Sequence, residues 1–357
     1  MLTILLFLLV LGILVLVHEA GHALIAKTIG CRVEEFGIGF PPRLAARRLG
    51  ETVYSVNIIP LGGFVRITGE GGEAIDDPRS FARKSRGRRA AVLLAGVTMN
   101  LLLAVVFFSL IAGIGAPVPV SGVPGTLPLV DRRVEVVEVS DNPVLRNAGI
   151  RSGDAITHVG GRFLPSAADA AEAIRGFRGV ELPLVLTRDG SRQDVRLLFS
   201  EPHVPGEPVG LALLDVATYR VPWRRAPLEG IKATGRTVQA TATGLAKLVR
   251  DAVQERVLPQ DVAGPVGIAS IVGTVGRQGI LPLMELTAVL SVNLALINAL
   301  PIPALDGGRV LFVLLEAVGI RRFRGGPERL AHAIGFAVLI GLIMLITIGD
   351  IRRLFTS

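Results

Sequence analysis

The stretch MLTILLFLLVLGILVLVHEAGHALI, residues 1–25, decides the fold because it joins a long apolar run to three ionisable side chains. No charged side chain occurs in residues 1–17, and residues 2–25 are long enough for one helix to cross a bilayer. His18, Glu19 and His22 follow within the same segment, where an ionisable group costs about 2.5 to 3.5 kcal/mol in hydrocarbon. A function is therefore expected, although the three side chains could also reach water from the end of a simple anchor.

The spacing of HEAGH is that of a zinc-protease motif. Two histidines four residues apart on an α-helix lie on one face, roughly 6 Å apart along the axis, so one metal ion can bind both. Glu19 projects beside them, where a carboxylate can take a proton from water acidified by the metal. The pattern predicts His18 and His22 as ligands of Zn²⁺ and Glu19 as the catalytic base.

The composition predicts a polytopic α-helical membrane protein with about four transmembrane helices. Half of the 357 residues are hydrophobic, which disfavours a single soluble domain. The predicted spans are 2–25, 90–115, 283–305 and 330–349. The first span lacks a basic leader and a clear cleavage site for a secretory signal, so we expect it to be retained.

The net charge of +8 is interpreted as a topology signal rather than a nucleic-acid interface. Its Lys and Arg residues concentrate beside the apolar segments, between spans one and two and between spans three and four, and are not interleaved with aromatic residues. Both loops are therefore predicted to be cytoplasmic, with the long segment 117–280 outside. Cys31 is the only cysteine, which excludes a disulfide in this chain, and a ligand role for it is poorly supported.

A second polar motif, NALPIPALDGG, occupies residues 298–308 at the end of the predicted third span. The predicted topology delivers Asp306 to the same side and similar depth as His18 and His22. Two histidines and one carboxylate leave the fourth zinc position open, as catalysis requires. Asp306 is therefore favoured as the third ligand over a capping role in an ordinary Pro/Gly helix end.

HEAGH together with NxxPxPxLDGG resembles the site-2 protease family of intramembrane zinc metalloproteases, and the likeness extends over nearly the whole chain. Residues 36–40, 53–66, 95–100 and 264–268 also resemble segments of its bacterial branch. The resemblance implies zinc binding by His18, His22 and Asp306, with Glu19 as base. It also implies that Asn293 and Asn298 contact the substrate backbone, and it places the protein in the bacterial inner membrane.

Residues 33–69 are predicted to form a cytoplasmic-side β-hairpin, with alternating residues on both sides of Leu61-Gly62-Gly63. One edge near Gly62 and Gly63 could bind an extended substrate strand by β-augmentation. Packing on the cytoplasmic face alone is equally compatible with the pattern. These two glycines are accordingly candidate substrate-binding residues, and the first membrane half is predicted to comprise residues 1–116.

Residues 117–217 are predicted to be an extracytoplasmic PDZ domain of α+β type. The pattern AGIxxGDxIxxVGG at 148–161 resembles bacterial PDZ domains, and a strand, a helix at 167–175 and a hairpin across Asp189-Gly190 surround it. The domain could bind peptides at a strand edge, but the resemblance favours a steric filter for substrates already cut outside. Residues 218–280 are predicted to hold an amphipathic or linker helix, which could act as a gate, before the second membrane half at 281–357.

The predicted function is regulated intramembrane proteolysis of single-pass membrane proteins. The resemblance suggests anti-sigma factors already cut outside, and signal-peptide remnants, as substrates. A noncatalytic PDZ scaffold in contact with membrane lipid is the main alternative, and Glu19 argues against it because a scaffold does not need a base. A metal transporter is disfavoured because the second and fourth spans carry almost no ionisable residues.

Overall fold

The computed structural model describes residues 1–72, 76–120, 129–188, 190–206, 209–255, 264–319 and 326–356. Its α-helices are α1 Leu2–Thr28, α2 Arg86–Ile114, α3 Pro143–Ala148, α4 Ala167–Arg175, α5 Ala226–Glu255, α6 Pro265–Gln278, α7 Ile280–Ala299, α8 Asp306–Ala317 and α9 Gly326–Thr356. Its strands are β1 Val33–Leu49, β2 Thr52–Ile67, β3 Ala116–Pro119, β4 Leu129–Val139, β5 Ala155–Val159, β6 Arg162–Phe163, β7 Glu181–Arg188, β8 Ser191–Leu198 and β9 Leu211–Tyr219. They form two compact units, one of residues 1–111 and 224–357 and the other of residues 112–223.

Among the described residues, four helices are long and apolar enough to cross a bilayer: Leu2–Thr28, Arg86–Ile114, Ile280–Ala299 and Pro327–Arg353. Large apolar side chains on them stay uncovered by protein, with Leu102 51% exposed and Val338 66% exposed. Such surface is unfavourable in water but matches hydrocarbon, and the helices satisfy their own backbone hydrogen bonds, as a bilayer demands. The chain is a polytopic membrane protein.

The third span differs from its prediction at both ends. Helix α7 begins at Ile280 and ends at Ala299, so residues 300–305 do not continue the span. Leu300 has extended backbone angles, and it precedes Pro301, whose ring disfavours the helical conformation for the residue before it. The predicted bounds of 283–305 are therefore wrong, and Asp306 begins a separate helix, α8.

Strands β1 and β2 pair differently from the predicted hairpin. The turn lies at Gly50 and Glu51, not at residues 61–63, which belong to β2. Residues 35–38 have partners on both sides, because they pair with 63–66 and also with 53–56. Residues 53–56 in turn pair with 45–48. In the described part of the chain, the outer segments of this small sheet are therefore 63–67 and 43–49.

The described part of residues 218–280, predicted as one linker region, contains two helices with distinct packing. Helix α5 packs on α7, and Gly230 lets it approach α2 closely, since a Cβ there would collide with Ser109 and with the carbonyl of Val105. Helix α6 packs on α1, α7 and α9. Gly273 and Gly276 face Thr3 and Leu6 of α1, so small residues permit the close contact. At 14 residues, α6 is shorter than a bilayer span.

The second unit is an antiparallel sheet with two short helices. Its strand order is β3-β9-β4-β5-β7-β8, with β6 paired to β5. Helix α4 spans the residues predicted for it, and Ser166 caps its N-terminus because the Ser166 hydroxyl accepts the Asp169 N–H. Fully buried leucines, Leu145, Leu182, Leu184, Leu186 and Leu197, form much of the core. Asp189, assigned to the predicted turn of the closing hairpin, lies outside the described residues.

Asp154, in the predicted GD pattern, is a buried structural carboxylate that is only 1% exposed. Its two oxygens accept hydrogen bonds from Nε and Nη2 of Arg188, both at 2.7 Å, and Oδ2 also accepts the Arg151 N–H. Burial alone raises the pKa of this carboxyl, but the bonds from Arg188 and the Arg151 amide outweigh it, and the pKa is lowered. The ionised pair therefore stabilises this unit at neutral pH.

We expect Asp154→Asn to lower the stability of the second unit by about 1 to 3 kcal/mol at pH 7, because it removes a charged partner of Arg188. The folded pKa is depressed, so the carboxylate's contribution is fully present above the unfolded value of about 3.9 and is lost as pH falls through the folded value. The variant should therefore lose less stability on acidification than the wild type. Limited proteolysis of the full chain at pH 7 and at acid pH measures both effects, with exposed Asp194→Asn as control. Equal wild-type and Asp154→Asn stability at pH 7 contradicts the prediction.

Candidate metal centre

Three predicted ligands from two distant parts of the chain converge at one point. Nε2 of His18 lies 3.2 Å from Nε2 of His22, and Oδ2 of Asp306 lies 3.0 and 3.2 Å from the two nitrogens. Both histidines are 7% exposed, and the Asp306 side chain is 17% exposed. Among the residues that the structure describes, these three form the group of His, Cys, Asp or Glu side chains able to share one metal ion.

Helix α2 forms the back wall of this cluster, a feature that the sequence motifs do not show. Nδ1 of His22 donates to the backbone carbonyl of Val92 at 2.8 Å. Nδ1 of His18 lies 3.2 Å from the side-chain nitrogen of Asn100, which is fully buried. Val92, Gly96 and Asn100 are spaced by four residues and so lie along one face of α2. Both imidazole rings are thus held from behind by the same helix.

Two glycines allow the helices to approach closely enough for these contacts. A Cβ on Gly21, inside HEAGH, would lie 2.6 Å from the carbonyl oxygen of Ala95 and 2.7 Å from Cγ of Met99. A Cβ on Gly96 would lie 2.5 Å from Nε2 of His22 and 2.7 Å from Nε2 of His18. Real Cβ atoms do not tolerate such distances, so both positions require glycine at this helix separation.

We expect Gly96→Ala to weaken zinc binding by roughly 10- to 100-fold, as for other substitutions that disturb the surroundings of metal ligands. The added methyl group meets both Nε2 atoms, and the His22 ring cannot turn away without losing its bond to Val92. Competition with a chromophoric chelator in detergent measures the affinity. Gly87→Ala is the matched control, because a Cβ on this glycine of α2 meets nothing within 4 Å. Equal affinity in both variants refutes the prediction.

A tight turn after α7 presents Asp306. Ala304 adopts a positive φ of 84°, which is strained for a residue with a side chain, and its N–H donates to Nδ1 of His332 at 2.9 Å. Gly307 and Gly308 lie against the backbone of residues 299–302, where a Cβ would collide with carbonyl oxygens. His332 therefore supports the turn that carries the carboxylate.

Glu19 lies on the side of α1 that faces β2. A Cβ on Gly63 would be 3.6 Å from Cγ of Glu19 and 3.0 Å from the Gly37 carbonyl oxygen. Glu19 also lines a small pocket together with Gly62, Gly63 and residues 36–38. The structure thus brings both candidate substrate-binding glycines to the proposed base. Gly62 has a φ of 112°, a conformation that favours glycine.

The two asparagines of α7 are separated on the helix surface. Five residues correspond to about 500°, so Asn293 and Asn298 point roughly 140° apart. Oδ1 of Asn293 accepts a hydrogen bond from Thr241 of α5 at 2.8 Å. Asn298 is half-buried one residue before the end of α7. The structure therefore does not place the two amides on one common face.

Cys31 lies apart from the metal cluster. Its thiol is buried with Ala26, Val33 and Ile67 in a hydrophobic cluster, and burial raises its pKa. A raised pKa disfavours the thiolate that binds metals. Cys31 therefore serves packing in this structure, and the ligand role that the sequence left open for it receives no support.

The donor set fits zinc. Two imidazole nitrogens and one carboxylate are typical of catalytic zinc sites, which keep one further position open. The Nδ1 atom of His22 already has a backbone acceptor, which leaves Nε2 available for a metal ion. Two buried histidines on an apolar, span-length helix and a partly buried carboxylate within 3.2 Å define the class as a membrane-embedded metalloenzyme.

The model of peptidase family M50 matches residues 6–342, so the chain belongs to this family and is a zinc metalloprotease. It is similar to the zinc metalloprotease RasP of Geobacillus kaustophilus, with 30% identity over 98% of this chain and 97% of the relative. It is also similar to the zinc metalloprotease RasP of Oceanobacillus iheyensis, with 30% identity over 99% and 100%. The regulator of sigma-W protease RasP of Bacillus subtilis is 26% identical over 99% of both chains. This membership favours the enzyme over the noncatalytic scaffold.

Proposed function

We propose that the protein is an intramembrane endopeptidase in which His18, His22 and Asp306 hold the zinc ion and Glu19 is the general base. The observation that carries the proposal is the convergence of these three donors beside Glu19, with both histidines inside the apolar helix α1. A bound zinc ion supplies a Lewis acid that polarises the scissile carbonyl and acidifies water. Family membership supports the same assignment.

The residues of the chain perform the proton transfers. The Glu19 carboxylate accepts a proton from the attacking water as the new C–O bond forms at the peptide carbon. It then delivers that proton to the leaving amide nitrogen as the C–N bond breaks, so Glu19 ends each cycle ionised. The hydrogen bond that Nδ1 of His22 donates to the Val92 carbonyl of α2 keeps this ring in place during the reaction.

The substrate strand binds along residues 63–67, the outer segment of the small sheet beside Glu19. A transmembrane helix shields its peptide bonds with its own hydrogen bonds and must be unwound before attack. An extended segment can replace those bonds by pairing with a sheet edge. Gly62 and Gly63 keep this edge close to Glu19. The family resemblance suggests that the side-chain amides of Asn293 and Asn298 provide further donors and acceptors from separate faces of α7.

Cross-linking tests which edge binds the substrate. We expect Arg66→Cys, on the outer segment beside Glu19, to form a disulfide with a cysteine scanned through the unwound substrate segment. Arg48→Cys is the matched control, because residue 48 belongs to the other outer segment. Both variants are made on a Glu19→Gln background so that the substrate remains intact. Preferential cross-linking through residue 48 would exclude the proposed edge.

In the proposed orientation the metal centre faces the cytoplasm, and residues 117–217 lie outside as a PDZ domain. The Lys and Arg residues between the first two spans and between the last two support this orientation. The outer domain acts as a steric filter that admits substrates already shortened on the outer side. Its support is the sequence resemblance to bacterial PDZ domains, together with a compact unit that has its own core.

The proposed substrates are single-pass membrane proteins, including pre-cut anti-sigma factors and signal-peptide remnants. The test expresses the protein in a bacterial membrane lacking its own family member, with a tagged single-pass substrate of either full or truncated outer domain. We expect immunoblots to show chelator-sensitive cleavage of the truncated substrate only. Chelator-insensitive cleavage would exclude the metal mechanism, whereas equal cleavage of both substrates would exclude the filter.

A further inference from the structure

Asn100 of α2 has an unusual environment for a polar side chain. The residue is 0% exposed, and its Oδ1 has no hydrogen-bond partner among the described residues. Its Nδ2 lies 3.2 Å from Nδ1 of His18, the ring nitrogen that points away from Asp306. The backbone carbonyl of Asn100 accepts a 2.8 Å bond from the buried hydroxyl of Ser291, which ties this turn of α2 to α7. Leaving a buried amide oxygen unpaired costs about 1 to 3 kcal/mol, so an asparagine at this buried position needs a reason.

The chemistry of His18 supplies that reason. A neutral imidazole that gives the lone pair of Nε2 to a metal carries its hydrogen on Nδ1, which is then a donor. The amide nitrogen of Asn100 is also a donor, and two donors facing each other at 3.2 Å do not bond. Turning the amide by about 180° replaces the nitrogen with Oδ1, an acceptor of nearly the same shape. That orientation pairs Nδ1 of His18 and gives the unpaired oxygen a donor.

We infer that Asn100 is the positioning residue of His18: in the metal-loaded enzyme its Oδ1 accepts the Nδ1–H of His18 and so directs Nε2 to the metal. This inference rests on the proposed metal-binding role of His18. His22 has the equivalent arrangement, since its Nδ1 donates to the Val92 carbonyl eight residues earlier on α2. One face of α2 therefore sets the tautomer of both histidines, through a carbonyl at one end and a side-chain amide at the other.

A packing role and a hydrogen-bonding role predict different results for three substitutions. Asn100→Leu keeps a buried side chain of similar volume but has no acceptor, so we expect zinc to bind roughly 10- to 100-fold more weakly. Asn100→Asp supplies only acceptor oxygens and should retain at least wild-type affinity. Thr98→Val, two residues away on an exposed face of α2, is the control and should change nothing.

The measurement is zinc affinity, from chelator competition with full-length protein in detergent. All variants are made on a Glu19→Gln background, so activity does not enter, and thermal unfolding without zinc checks the fold. Nitrogen-15 NMR of the labelled histidines reports directly on the tautomer. The acceptor role of Asn100 requires that Nδ1 of His18 carries a hydrogen in the zinc-loaded protein. His18→Ala is included as the reference for a lost ligand.

The outcomes separate this inference from the proposed function. Weak zinc binding by Asn100→Leu with retention by Asn100→Asp supports an acceptor role. Wild-type affinity in Asn100→Leu, with loss in His18→Ala, overturns the positioning role but leaves the ligand set intact. Loss in Asn100→Asp equal to that in Asn100→Leu also overturns it, because an acceptor alone would then not suffice. Unchanged zinc affinity in His18→Ala overturns the ligand assignment itself, and the inference with it.

Discussion

Glu19→Gln is expected to lower the rate of peptide-bond cleavage by about 10²- to 10⁴-fold while zinc remains bound. Glutamine has nearly the shape of glutamate but cannot take a proton from water at neutral pH. Glu19 is not among the three donors of the metal cluster, so its loss should leave the cluster in place. The side chain lies beside Gly63, close to where the substrate strand is proposed to bind.

The experiment compares purified wild-type and variant proteins on one truncated substrate under single-turnover conditions, with zinc content measured on the same samples. Glu51→Gln is the control carboxylate, because Glu51 lies at the turn between β1 and β2 and pairs with Arg79. Cleavage by Glu19→Gln at the wild-type rate would assign the proton transfer to another group. A loss of both zinc and activity would instead indicate that Glu19 supports the metal site.

Asp306→Ala is expected to abolish both zinc retention and cleavage. Removing a ligand leaves two histidines, a larger defect than the roughly 10- to 100-fold loss typical for a residue that only supports a ligand. Asp306 is also the sole contribution of the C-terminal half of the chain to the three-donor cluster among the described residues. The two halves of the site therefore depend on this residue for their shared metal ion.

Zinc per protein after dialysis, together with substrate cleavage, measures the effect. Asp194→Ala on the surface of β8 is the control, because its side chain is 71% exposed and belongs to the other compact unit. If Asp306→Ala keeps the wild-type zinc content and affinity, the carboxylate is not a ligand. The site would then be a two-histidine centre whose third ligand comes from elsewhere.

Much of the metal centre could be predicted from local sequence. The positions of His18, Glu19 and His22 follow from helix geometry, because residues four apart share one face whatever surrounds them. The membrane character of the first helix follows from its uninterrupted apolar run. Asp306 required an additional argument from topology and family resemblance, and the structure places its Oδ2 3.0 Å from His18.

The supporting contacts on α2 could not be predicted in the same way. Val92 acts through a backbone carbonyl, which every residue possesses, and Gly96 acts by lacking a side chain. Asn100 belonged to a segment noted for its resemblance to the family, but its role depends on where α2 lies beside α1. Gly96 and Asn100 are four residues apart and so share one face of α2. This spacing indicates a supporting face only once the packing of α2 against α1 is known.

The pairing of β1 and β2 shows the same limit. Alternating apolar and polar residues on both sides of Leu61-Gly62-Gly63 predict strands with their turn at residues 61–63. The structure uses Gly50 and Glu51 instead, and residues 35–38 pair on both sides. Register depends on partners far along the chain, which alternation alone cannot distinguish.

The sequence by itself determined the apolar helices, the face shared by His18 and His22, and the chemistry available to Glu19, because these depend on residue type and helical period. Only the tertiary structure decided that Asp306 reaches the histidines, that α2 lies behind both rings, and that Gly62 and Gly63 lie next to Glu19. Each of these depends on contacts between segments distant in the chain, where close packing rather than local propensity selects the neighbours.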